Sequence, residues 1–367
     1  MENSFVHPYM PNSVTENKKA MLDELGINSV EDIYKSIIPD ELLYKERLDI
    51  PEPIRSEYEL KRHVMGILNR DITTEEYTSF LGAGCYKHQV PAICDEINSR
   101  GEFLTAYCGD TYSDHGKMQA IFEYTSMMGE LLDTDVVSYT TYDGGQAVAS
   151  SLRMAVRAVR EKGMAGKVIL VPKTMNPEIY SQVVQYCRNV AEVRKIAYEP
   201  ETGLMDLEEL KEQLAKKNVA AVFFENPTYL GNFETRGEEI AKLAHDAGAY
   251  CVVQTEVAAL GIMESPVNQG ADIVCGDIQP LGMHIQFGGG QAGFIACNQN
   301  MDLVEQFPTY MYGITETEKE DTYGWGRAMN YRSSHGSREN AKEYFGTETG
   351  LWAITAGVYL ASMGPQG

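Results

Sequence analysis

The central part of the chain alternates between two hydrophobic patterns. Short strands are predicted at 166–173, 192–198, 219–224, 250–254, 271–275 and 294–297, and several are continuous apolar runs, such as VAAVFF at 219–224. Between them, apolar residues at helical spacing predict helices at 144–161, 176–191 and 236–247, with a further helix around Leu207, Leu210 and Leu214. Doubly buried strands that alternate with helices indicate an α/β core with a parallel sheet covered on both faces.

The first 80 residues differ from the central part in composition and in hydrophobic pattern. They are charged and helix-prone, with short helices predicted at 14–25 and 29–37, and the proline-bearing stretch at 48–54 is typical of a connector. We expect a helical N-terminal arm over 1–79 that wraps a partner, with a cap packed on its own domain as the alternative. A large α/β domain at 80–310 and the start of a smaller C-terminal domain at 311–367 complete the predicted organisation.

Composition narrows the possible partners. The 367 residues carry a net charge of −22, which disfavours nucleic acid and anionic membranes as ligands. No apolar run approaches the roughly 20 residues that span a bilayer. The seven cysteines are scattered, without a CxxC pair, and no signal peptide is evident, so we expect reduced thiols and a cytoplasmic protein.

Glycine-rich turns are the main candidates for a ligand-binding site among the short motifs of the chain. In YDGG at 142–145, the backbone N–H groups of Gly144 and Gly145 open a long helix and could bind a phosphate. A glycine turn in which Asp143 caps the helix explains the same residues. The GGGQAG run at 288–293 is compatible with a tight hairpin or with close approach of another segment.

Other common site patterns are missing from the sequence. The seven histidines are dispersed, without an HExxH motif, so we expect no metal site. The YDGG turn matches neither a Walker A loop nor GxGxxG, and no GxSxG elbow occurs.

Several motifs together resemble one family. They are HPYMP at 7–11, LDIPEP at 48–53, FLGAGCYKHQVP at 80–91, GEFLTAY at 101–107, FEYTSM at 122–127, YDGG at 142–145, ENPTYLG at 225–231 and GADIV at 270–274. Their order and spacing are similar to those of the P-protein of the glycine cleavage system, glycine dehydrogenase (decarboxylating), and specifically to the alpha subunit of its two-subunit bacterial form. The resemblance implies the fold type I architecture of pyridoxal-phosphate enzymes, with a mostly parallel seven-stranded sheet and a small C-terminal domain that is incomplete in this chain.

The same resemblance locates the residues that would hold pyridoxal phosphate. In this fold a lysine forms a Schiff base with the cofactor after the strand at 271–275, but no lysine lies between Lys242 and Lys319, and the matching position falls at about Leu281. Glu256 stands where an aspartate would face the pyridine nitrogen, and Asn176 where a histidine would stack on the ring. We therefore expect no catalytic residue in this chain and a vestigial site at Gly144, Gly145, Asn176 and Glu256.

Family membership also implies partners. A beta subunit would supply the lysine and hold pyridoxal phosphate, and the hetero-oligomer would decarboxylate glycine and transfer the aminomethyl group to the lipoyl arm of the H-protein. In this chain, the residues expected near the partner's active site are Gly82, Gly84, Tyr86, His88, Tyr107, Asp110 and Tyr112.

Two segments depart from the family. Residues 107–116 read YCGDTYSDHG where alpha subunits carry Pro-Tyr-Gln-Pro-Glu, and Arg332, His335 and Arg338 are scattered in the divergent region 327–348. A non-catalytic scaffold or regulatory paralogue is therefore the alternative function. A self-sufficient enzyme that uses Lys173 is a third and weaker hypothesis, because that lysine follows a different strand.

Overall fold

The chain divides into two units, Met1–Tyr77 and Thr78–Gly367. A computed structural model describes residues 6–46, 48–80, 86–104, 115–333, 336–343 and 348–367. The helices of the first unit are α1 (Thr15–Leu25), α2 (Glu31–Lys35) and α3 (Glu57–Leu68). None of the described residues of this unit is buried, and apolar side chains such as Leu60, Val64 and Ile67 are exposed.

A seven-stranded sheet organises the second unit. Its order is β1-β7-β6-β5-β4-β2-β3, with parallel pairing from β3 through β6 and antiparallel pairing of β7 with both of its neighbours. This mostly parallel sheet confirms the predicted fold class. The strands are β1 (Val136–Val137), β2 (Val168–Pro172), β3 (Glu192–Ile196), β4 (Val219–Asn226), β5 (Tyr250–Thr255), β6 (Ile273–Asp277) and β7 (Gly293–Cys297), with a separate antiparallel pair, β8 (Met311–Glu316) and β9 (Tyr323–Ala328).

Apolar side chains leave the sheet on both faces. Val168 and Leu170 of β2 point into one hydrophobic cluster, and Ile169 and Val171 point into another. This period of two is the reason that a buried parallel strand is apolar throughout. The covering helices are α4 (Ala92–Asn98), α5 (His115–Leu132), α6 (Gly144–Glu161), α7 (Pro177–Cys187), α8 (Leu207–Leu214), α9 (Gly237–Asp246), α10 (Met301–Val304) and α11 (Gly350–Met363).

The glycine run at 288–293 does not form a tight hairpin. Although β6 and β7 are antiparallel neighbours, residues 278–292 connect them. Gly293 instead allows a close approach, since a Cβ there would lie 2.2 Å from the carbonyl oxygen of Asp143. Within the described ranges, no helix has the length and apolar character that crossing a membrane requires.

The segment after β9 is fixed to the sheet unit through polar side chains. Arg332 is buried and donates to the carbonyl oxygens of Phe307 and Thr309, so its role is structural. Arg338 is exposed, and His335 lies outside the described residues.

Glu343 joins this segment to α6. Its carboxylate accepts from Ser150 Oγ at 2.8 Å, from Arg153 Nε at 2.6 Å and from Arg157 Nη1 at 3.1 Å. Burial lowers the pKa of the Arg157 guanidinium, and the charge of Glu343 opposes that effect. The two arginines therefore share one carboxylate as their ion-pair partner.

We expect Glu343→Ala to lower the free energy of unfolding by about 3 kcal/mol, because it leaves two partly buried guanidinium groups without their counter-ion. Urea denaturation of the full chain measures this loss. The exposed Glu212→Ala is the control and should change stability by less than about 0.5 kcal/mol. An equally small effect for Glu343→Ala would contradict the assigned role.

Candidate functional site

Polar side chains gather at one edge of the sheet. The strands β2, β4, β5 and β6 are parallel, so their carboxyl ends meet at this edge, where open α/β sheets bind ligands. Glu225 lies at the end of β4, Glu256 directly after β5, and Asp277 at the end of β6. The edge is therefore rich in carboxyl groups, and three neighbouring strand ends supply them.

Glu225 is almost completely buried. Its two oxygens accept from the backbone N–H of Asn176, at 3.1 and 3.2 Å, and one also accepts from the N–H of Tyr229 at 3.3 Å. Burial raises the pKa of this carboxyl to about 7, although the two N–H groups act in the opposite direction. Glu225 thus ties the start of α7 to the loop after β4.

Asp277 occupies the start of α6. Its Oδ2 accepts from the Gly144 N–H at 2.9 Å, while Oδ1 accepts from the N–H groups of Gln279 at 2.8 Å and Ala292 at 3.3 Å. Burial, with a smaller contribution from the negative charge of Asp143, raises the pKa of Asp277 to about 7, although the three N–H donors act in the opposite direction. Asp143 itself caps α6, because its Oδ1 accepts from the Gln146 N–H at 2.6 Å.

The residues matched to the cofactor's ring have other contacts. Asn176 caps α7, where its Oδ1 accepts from the Glu178 N–H at 2.9 Å. The Glu256 carboxyl accepts from the Ala258 N–H at 3.4 Å, and burial raises its pKa. Both side chains therefore accept a hydrogen bond from the backbone N–H group two residues further along the chain.

Leu281 is buried in the hydrophobic cluster beside the sheet, within a turn whose Leu281 N–H donates to the Ile278 carbonyl oxygen at 2.9 Å. An aliphatic side chain cannot form a Schiff base. Lys173, the other lysine considered, has an exposed side chain at the end of β2. These residues do not fit pyridoxal phosphate at the place where the fold would hold it.

Gln279 connects the Leu281 turn to the segment at 86–91. Its Nε2 donates to the carbonyl oxygens of Tyr86 at 2.9 Å and Met283 at 3.0 Å, and its Oε1 accepts from the Tyr86 N–H at 3.4 Å. The structure thus brings Tyr86 close to the turn that contains Leu281.

His88 lies beside Tyr86, with the two rings edge to face at 6.4 Å between centroids. The imidazole is partly buried, which lowers its pKa, and Nε2 has no hydrogen-bond partner among the described residues. The other predicted interface residues, Gly82, Gly84, Tyr107, Asp110 and Tyr112, lie outside the described residues.

Sequence reasoning did not single out Glu225, Asp277 or Gln279. Each of them is a polar residue at or just after the end of an apolar strand. Such residues lie at the ligand-binding edge of a parallel sheet, so the sequence contained a weak indication of all three. The sequence contained no such indication for Tyr124. This residue of α5 is fully buried, and both burial and the charge of Asp277 raise its pKa.

Comparison with known proteins gives one family over nearly the whole chain. The family model described as glycine cleavage system P-protein matches residues 7–367. The chain is 34% identical over 372 residues to the probable glycine dehydrogenase (decarboxylating) subunit 1 of Staphylothermus marinus, covering 98% of this chain and 77% of that protein. It is 37% identical over 361 residues to the protein of the same description from Carboxydothermus hydrogenoformans, covering 98% and 78%.

Solved structures agree with this similarity. A crystal structure of glycine decarboxylase (P-protein) of the glycine cleavage system, in inhibitor-bound form, superposes with a TM-score of 0.83 at 31% identity, covering 99% of this chain and 78% of that one. A sphingosine-1-phosphate lyase from Burkholderia pseudomallei superposes with a TM-score of 0.58 at 14% identity, covering 90% and 74%, which shows a shared fold alone.

The raised pKa of Glu225 predicts a pH-dependent stability. The folded chain holds this proton up to about pH 7, whereas an ordinary glutamate releases it near 4.5, so the unfolded chain binds fewer protons between these values and stability falls as pH rises through them. Glu225→Gln cannot ionise and escapes this loss. Relative to wild type, its free energy of unfolding should therefore increase by about 2 to 3 kcal/mol between pH 4.5 and pH 8.

Urea denaturation at the two pH values measures the difference. Glu212→Gln, an exposed control, should follow wild type at both values. A constant difference between Glu225→Gln and wild type would show that Glu225 ionises normally in the folded chain.

Proposed function

Because the chain belongs to the glycine cleavage system P-protein family, we propose that it is the alpha-type subunit of a two-subunit glycine dehydrogenase (decarboxylating). The observation that carries this proposal is that Leu281, which the family resemblance matches to the cofactor's lysine, is a buried aliphatic residue. A chain that keeps the family's fold but has an aliphatic residue there needs a second chain to supply the amine. The relatives' description as subunit 1 supports the same division of labour.

In this proposal the beta subunit holds pyridoxal phosphate, which when bound supplies an electron sink for the decarboxylation of glycine. The assembled enzyme passes the aminomethyl group to the lipoyl arm of the H-protein. The chain described here contributes surface around the partner's pocket, excludes water from it and positions groups at its rim. We place the enzyme in the cytoplasm, and the described cysteines, all free and buried, are compatible with a reducing compartment.

Tyr86 and His88 are the residues that we assign to this rim. Gln279 fixes the backbone of Tyr86 against the turn that contains Leu281, and His88 carries a ring nitrogen without a partner among the described residues. Burial lowers the pKa of His88 and so favours the neutral ring, in which one nitrogen donates and the other accepts. The neighbouring Gly82 and Gly84 and the segment with Tyr107, Asp110 and Tyr112 belong to the same proposed surface.

The N-terminal unit supplies a second contact in this proposal. Its described apolar side chains, including Leu60, Met65 and Ile67, remain exposed. Contiguous exposed apolar residues are typical of surfaces that bind another protein. We assign the beta subunit as the chain that this unit wraps.

Purification of this chain, alone and together with the beta subunit, tests the proposal. We expect no visible absorption from a covalent cofactor on the isolated chain, and glycine-dependent exchange of labelled carbon dioxide only in the complex. Lys173→Ala should leave both results unchanged, because that side chain has no part in the proposed site.

A covalent cofactor on the isolated chain would overturn the proposal. A stable complex without exchange, when the same beta subunit is active with a standard alpha subunit, would favour the alternative, a scaffold or regulatory paralogue.

Loss of the His88 ring should weaken the proposed rim. We expect His88→Ala to reduce carbon dioxide exchange by the complex about tenfold, equivalent to about 1.4 kcal/mol, with little change in the stability of the isolated chain. His245→Ala is the matched control, because His245 pairs with Asp272 near the amino end of β6, at the opposite edge of the sheet. Equal exchange rates for the two variants would remove His88 from the site.

A further inference from the structure

The N-terminus of α6 is the part of the chain that would receive a phosphate group in a site of this fold. Helix N-termini bind anions because their first N–H groups lack partners within the helix. Here the Gly144 N–H already donates to Asp277 Oδ2 at 2.9 Å. One of the two donors considered for a phosphate is therefore engaged by a side chain of the same protein.

Asp277 is bound in the manner of an anionic ligand. Its carboxyl group accepts from three backbone N–H groups, those of Gly144 and Ala292 in other segments and that of Gln279 two residues further on. Such convergence of backbone donors is typical of a phosphate cradle. The carboxyl group thus accepts hydrogen bonds of the kind that such a cradle would offer to a phosphate.

Space at the two glycines is also filled. A Cβ built on Gly144 would lie 3.1 Å from the Asp277 Cβ, and one built on Gly145 would lie 2.7 Å from Gln182 Oε1. Neither glycine has room for even a methyl group without movement of a neighbour. Asp277 and Gln182 therefore pack closely against the first residues of α6.

The negative charge at the start of α6 also disfavours the binding of a phosphate. Asp143, the N-cap, and Asp277 place two carboxyl groups at the start of α6, and the described charge that acts on Asp277 is the negative charge of Asp143. A phosphate dianion added there would be repelled by Asp143 and by the ionised form of Asp277. A helix dipole contributes only about half a unit of positive charge and does not compensate for both groups.

We propose that Asp277 is a built-in substitute for phosphate, which closes the α6 N-terminus of this chain to pyridoxal phosphate and to other phosphate ligands. The missing lysine removes the covalent attachment, and Asp277 independently removes the non-covalent one. This inference rests on the geometry of this chain alone and holds whether or not the proposed reaction does.

Calorimetric titration of the purified full chain with inorganic phosphate and with pyridoxal phosphate tests the inference. Wild type should show no saturable binding of either probe at millimolar concentration. Asp277→Ser removes the carboxylate, opens space and leaves a hydroxyl donor beside Gly144, so it should bind phosphate at least tenfold more tightly than wild type. Glu225→Gln, which neutralises another buried carboxyl at the same edge, is the matched control and should behave as wild type.

Selective ¹⁵N labelling of glycine reports the location of any binding, because phosphate in the cradle must shift the Gly144 amide resonance. Binding to wild type that shifts this resonance would overturn the proposal, as would a folded Asp277→Ser chain that gains no affinity. If Asp277→Ser does not fold, the isosteric Asp277→Asn serves in its place, with a several-fold gain expected and the absence of a gain counting against the proposal.

Discussion

Burial of the seven-stranded sheet on both faces is the constraint on which the rest of the structure depends. Strand residues such as Ile169 and Leu170 alternate between two hydrophobic clusters, so the faces of the sheet leave little place for polar groups. Buried polar side chains lie instead at the carboxyl edge of the sheet. There Glu225 and Asp277 meet backbone N–H groups of the following loops, and each carboxyl group ties the end of a strand to the start of a helix.

The same constraint explains how far the sequence could predict the fold. Continuous apolar runs such as 219–224 and the periodic pattern of 144–161 specify burial directly, and β4 and α6 were found where those patterns lie. The direction of β7 was not predictable, because periodicity carries no information about strand orientation. The boundary between the two units, after Tyr77, lies close to residue 80, where the hydrophobic pattern of the chain changes. This change is visible in the sequence because the segment before it is charged and contains prolines.

The candidate site was predictable only in part, for a physical reason. A missing lysine can be read from residue types, and so can a helix cap at Asp143, because both are local. The contact between Gly144 and Asp277 joins residues 133 positions apart, and the contacts between Gln279 and Tyr86 span 193. Pairings of this kind depend on strand order, which decides the loops that share an edge and is not encoded in any single segment.

The filled position at the start of α6 also has an evolutionary consequence. Replacement of Leu281 by lysine would place an ammonium group in an apolar cluster, while Asp277 would still occupy the donors of Gly144. On the proposed function, neither a lysine at position 281 nor the loss of the Asp277 carboxyl group would by itself provide both an amine and a free Gly144 N–H for a cofactor. Reliance on a beta subunit would then be difficult to reverse by a single substitution.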